Sequence, residues 1–112
     1  MTKEIDIMVN RITKKFHPEK VVLFGSHARS SATVDSDIDL LIVMPELKNR
    51  RKTTIEIRKT LADIPAPKDI IVTSKEEIEQ NDFSQNNIFH IALEEGKIVY
   101  DQRIQMDEYA SK

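Results

Sequence analysis

Helical and strand-like apolar spacing alternate along these 112 residues and predict a small α/β (α+β) domain, a mixed β-sheet covered by helices mainly on one face. Three observations carry that prediction. Ile5, Met8, Val9, Ile12 and Phe16 recur at helical intervals and lead into the continuous apolar run Val21 to Phe24. A second run, Leu40 to Val43, returns after a polar stretch short enough to make the two runs neighbours in one sheet. A third, Ile70 to Val72, follows a charged segment of helical period.

Each element has a local reason. Pro18 ends the opening helix, because its ring removes a backbone donor and clashes with the preceding turn. Gly25-Ser26 closes the first strand, and His27 to Ala32 has room only for a short helix before the polar residues Ser30 to Ser36 lead into a strand at Ile38 to Val43. From Pro45 a charged helix is expected to about Asp63, lined by Ile57, Leu61 and Ile64, until Pro65-Ala66-Pro67 breaks it. Asp69 to Val72 forms the third strand. Ser74 with Glu77 makes a capping box and predicts a short helix. Asn86 to Glu95 reads as a further helix closed by Gly96, and Ile98 to Tyr100 as a last short strand. Residues 102–112 form a polar tail, which leaves 1–101 as the domain.

Composition narrows the function. One core fits in 112 residues, two do not, so a separate substrate domain is not expected. A net charge of -2 gives no general attraction for nucleic acid or an anionic membrane, and direct nucleic-acid binding is not expected. Lys48, Arg50, Arg51 and Lys52 lack interleaved aromatic residues to stack bases, so they read as a solvated helix face. Without cysteine there is neither a disulfide nor a thiolate zinc site. The apolar runs are short and the N-terminus lacks a signal-peptide profile, which makes a soluble cytoplasmic protein the expectation.

Chemistry concentrates between the first two strands. A strand that turns through Gly25-Ser26 into a helical turn presents free N–H groups to a phosphate. An ordinary turn glycine and a capping serine would account for the same pair. Asp37 and Asp39, at i and i+2 on a strand, point from the same face. At about 5 Å they repel by roughly 3 kcal/mol at an effective dielectric constant near 20. A divalent cation such as Mg2+ removes that conflict and leaves positions for substrate phosphates. Arg29 is placed either to pair with phosphate oxygens or to form an ion pair with one of the aspartates. His27 reads as an exposed helix residue, and Asp35 as a loop residue.

GSHARS followed by DSDIDLLIV resembles the minimal nucleotidyltransferases of the DNA polymerase beta superfamily, whose signature is Gly-Ser, a spacer of this length, and Asp-x-Asp in a hydrophobic strand. The likeness runs from the opening helix to Glu95 through Tyr100, with Ser30 standing where the family often has glycine. It implies a polymerase-beta-like fold and an ATP-binding enzyme that moves AMP from ATP to a hydroxyl. Gly25, Ser26 and Arg29 would bind the nucleotide, and Asp37 and Asp39 would hold Mg2+. Asp69, on a neighbouring strand, would complete the metal set and take the acceptor proton. Stand-alone members are often antitoxins that modify a tyrosine of a HEPN-domain toxin, so a HEPN-type partner protein is implied as well. A contact-only antitoxin is the alternative, kept open by Ser30. A drug-modifying transferase is disfavoured by the missing second domain.

Overall fold

The computed structural model describes residues 3–29, 31–33, 36–80 and 95–103. Their order is α1 (Lys3–Phe16), β1 (Lys20–Phe24), β2 (Ile38–Met44), α2 (Arg50–Thr60), β3 (Lys68–Ser74), α3 (Lys75–Gln80) and β4 (Lys97–Asp101). The predicted helix over 86–95 lies outside the described residues up to Glu95, as does the tail from residue 104. Among the described residues no helix is long and apolar enough to cross a membrane.

α1 forms where the sequence places its apolar stripe: Ile5, Met8 and Ile12 are buried, and Glu4, Asp6, Lys14 and Lys15 carry signs that suit the helix dipole at each end. It stops at His17, which takes a left-handed φ of 52° and donates its amide to the Thr13 carbonyl at 3.2 Å. α2 begins later than Pro45 suggests. The Asn49 side chain accepts from the Lys52 amide at 3.0 Å and sets the start at Arg50, leaving Pro45 to Lys48 in the preceding loop. Leu61 and Ile64 remain buried in turns just beyond the helix end. Ser74 caps α3 as expected, its Oγ accepting from the Glu77 amide at 3.1 Å.

The sheet runs β3-β2-β1-β4, with β2 parallel to β3 across the α2 connection and β1 antiparallel to both β2 and β4. A bulge sits between Val21 and Val22 where β1 meets β4. Ile5, Met8, Ile12, Ile57 and Leu61 from the helical side pack on Val21, Leu23, Leu40, Ile42, Ile70 and Val72. The other face is buried too: Val22, Phe24, Leu41 and Val43 form a second cluster, joined by Ile71 and by Ile78 of α3. Arg11 fastens the helices, donating to both Asp63 carboxylate oxygens and to the Thr60 carbonyl.

Candidate functional site

The site grows from the turn after β1. Gly25 has φ 74°, and its carbonyl accepts from the Ala28 and Arg29 amides at 3.1 and 3.2 Å. Ser31 donates to the Ser26 carbonyl at 3.0 Å. This is one tight turn rather than the short helix expected over His27 to Ala32, because these bonds close on Gly25 and Ser26 and do not propagate. Among the described residues the Ser26 and His27 amides have no internal partner. Ala28 is buried in the main core and anchors the turn.

Asp39 lies directly over this turn. A Cβ on Gly25 would overlap Asp39 Oδ2 and come within 3.1 Å of its Cγ, so the absence of a side chain at Gly25 makes room for the carboxylate. Asp39 pairs with Phe24 on β1 and with Asp69 on β3. Register partners share a face, which puts Asp39 and Asp69 side by side at the end of the sheet face that carries Phe24 and Leu41. Burial pushes the Asp39 carboxyl above the usual range; the charges of Asp69 and then Asp37 push it the same way, against His27 and Arg29.

Asp37 is exposed and lies one residue before β2, while Asp39 is register-paired with Asp69 across the sheet, and the charges of both Asp69 and Asp37 act on Asp39. Strand pairing begins only at Ile38, whose amide donates to the Pro67 carbonyl at 2.9 Å. Among the described residues no three acidic or histidine side chains form a ready-made cation cage. The donor chemistry nevertheless fits a hard divalent cation: every group is a carboxylate, and their mutual repulsion is the strain that a cation relieves.

Two contacts here were not legible in the sequence. His27, expected to be exposed, is half-buried with Nε2 3.3 Å from the Ser36 carbonyl, which ties the Gly25 turn to the segment that delivers Asp37. Arg58 of α2 lies with Nη2 3.7 Å from Asp69 Oδ1. One arginine in a basic helix carries no local signal that would single it out. Arg29 is exposed and makes no ion pair among the described residues. A cleft of about 700 Å³ between Glu4, His27, Ser36, Ile38 and Pro67 backs onto this region from the helical side, since Ile38 points opposite to Asp39.

Comparison with known proteins follows the same outline. The model of the nucleotidyltransferase domain matches residues 5–99. The chain belongs to this family. A curated Methanocaldococcus jannaschii protein, named as a candidate protein adenylyltransferase, is 37% identical over 62 residues. That match covers 54% of this chain and 40% of the relative's length. The crystal structure of a candidate nucleotidyltransferase from Sulfolobus solfataricus superposes with a TM-score of 0.63 at 21% identity, covering 90% of this chain and 80% of that one. A toxin-antitoxin structure with AMP-PNP gives 0.58 at 16% identity, covering 98% and 82%. These two likenesses establish the nucleotidyltransferase fold. The mixed four-stranded sheet and its helices are that fold's frame, and the Gly25 turn, Asp39 and Asp69 sit within the matched residues.

Proposed function

We propose that this nucleotidyltransferase domain transfers a nucleoside monophosphate, AMP from ATP, to a hydroxyl of a partner protein in a Mg2+-dependent reaction. The observation that carries the reading is Asp39, register-paired with Asp69 and resting on a glycine turn whose Ser26 and His27 amides have no partner among the described residues. Carboxylates at a phosphate cradle are an arrangement suited to a metal-bound triphosphate. The Ser26 and His27 amides would receive phosphate oxygens, and Arg29 would donate to them. Asp37, Asp39 and Asp69 would hold Mg2+, which when bound offsets charge on the attacking and leaving oxygens. The acceptor oxygen forms a bond to the α-phosphorus, pyrophosphate leaves with the electrons of the broken bond, and Asp69 accepts the hydroxyl proton. Asp69 suits the proton role because it is the more exposed of the paired carboxylates, at the sheet edge where an acceptor can approach.

The acceptor we infer is a tyrosine of a HEPN-type toxin, with this chain as its antitoxin in the cytoplasm. The toxin-antitoxin neighbour and the adenylyltransferase relative support that context. The test is co-expression with the candidate toxin, followed by mass spectrometry of the toxin and labelled-ATP transfer in vitro. Wild type should add one AMP mass. Asp69→Asn should lower transfer at least a hundredfold while binding the toxin with unchanged affinity. Full neutralisation by an Asp37→Asn, Asp39→Asn double variant, with no added mass on the toxin, would establish the contact-only antitoxin instead.

A further inference from the structure

Arg58 sits in the last turn of α2, beside Ile57, whose complete burial fixes the rotation of the helix on the sheet. That rotation carries Arg58 over the edge strand β3, where its guanidinium faces Asp69; both side chains are about half exposed. A cation near a helix C-terminus complements the dipole, but Lys59 in the same turn already supplies one. Asp69 therefore stands between two influences. The neighbouring carboxylate Asp39 repels it, and the Arg58 guanidinium lies 3.7 Å from it on the other side of the balance.

Taking the carboxylate site proposed above as given, we infer that Arg58 is a positioning residue that makes the site select a cation arriving with nucleotide over a free cation. With no ligand bound, Arg58 pairs with Asp69 and competes with any divalent ion for the same carboxylate. A free cation must displace the guanidinium and then sit near it, an unfavourable approach of like charges. A cation carrying phosphates brings the negative charge that the displaced guanidinium can face, so the exchange becomes favourable. The pair thus raises the threshold for free metal without blocking the loaded substrate. Its half-exposed geometry suits an exchangeable contact, since an exposed pair is itself worth little.

Calorimetry decides this without reference to turnover. Mn2+ alone and a Mg2+ complex of a non-hydrolysable ATP analogue are titrated into wild type, Arg58→Gln and Arg58→Lys. Arg58→Gln should bind Mn2+ alone about three- to tenfold more tightly, by loss of one nearby positive charge, and the nucleotide complex several-fold more weakly. Arg58→Lys should stay close to wild type on both, because it keeps the charge. Unfolding midpoints of all three should agree, which separates this role from a structural one. Equal Mn2+ affinity in wild type and Arg58→Gln overturns the inference while leaving the carboxylate site standing. Wild type that binds neither probe overturns the site assignment, and this inference with it.

Discussion

At the scale of single residues, Gly25 and Asp39 form one unit. Any β-carbon at Gly25 collides with Asp39, and a φ of 74° strains a β-branched residue further. Gly25→Val should therefore displace the carboxylate and weaken binding of a nucleotide analogue at least tenfold in calorimetry, in a protein that still shows a cooperative melt. Asp39 itself works against stability when no cation is bound. Its carboxyl is held above the usual value, so the ionised form is disfavoured in the fold, and the metal-free protein loses stability as pH rises from about 4 through the raised value. Asp39→Asn removes that loss. In EDTA its melting temperature should exceed that of wild type at pH 7, and the gap should shrink as pH falls to 4. Gly25, Ser26, Asp37 and Asp39 were readable as candidates from residue type and spacing, and Asp69 from the family resemblance. The direct register of Asp69 with Asp39 was not, because the partner of a strand residue is set by pairing with another strand.

Among the elements, boundaries were decided by side-chain hydrogen bonds. Periodicity alone placed α1, β1 and β3 within a few residues, since each has a clean apolar pattern. It ran α2 back to Pro45 because a proline is an acceptable first helical residue, whereas the Asn49 carboxamide captures the Lys52 amide and starts the helix later. Removing that acceptor leaves an amide at the helix start without a protein partner. Asn49→Ala should reduce stability by about 1 kcal/mol, a melting shift of roughly 4 to 8 °C for a domain of this size, read by circular dichroism. The turn at Gly25 was over-read as a helix for the opposite reason. Its polar composition allows helix, but the hydrogen bonds return to Gly25 and Ser26 and close it after a single turn.

For the whole molecule, the sheet is the frame that brings the acidic ends of β2 and β3 together. Leu40, Leu41 and Ile42 lie at its centre with no exposure, alternating between the two apolar clusters. Ile42→Ala should cost about 2 to 5 kcal/mol in denaturant unfolding, a large part of the roughly 5 to 15 kcal/mol typical of a small domain. The expectation of a sheet covered mainly on one face understated the second cluster. Val22 and Leu41 are as fully buried as the residues under α1 and α2, yet each sits in a continuous apolar run, where alternation cannot reveal which face is covered.

From its sequence alone this chain determined α1, the four strands and the capped start of α3, where the glycine turn falls, and that carboxylates follow it. Those properties depend on neighbours a few residues away, through side-chain period, proline and glycine geometry, and capping. The tertiary structure decided the parallel register that sets Asp39 against Asp69, the approach of Asp39 onto Gly25, and the reach of Arg58 across to β3. Each joins residues distant in the chain. Strand pairing and helix rotation are settled by burying both apolar clusters at once, a condition on the whole molecule that no local stretch of sequence expresses.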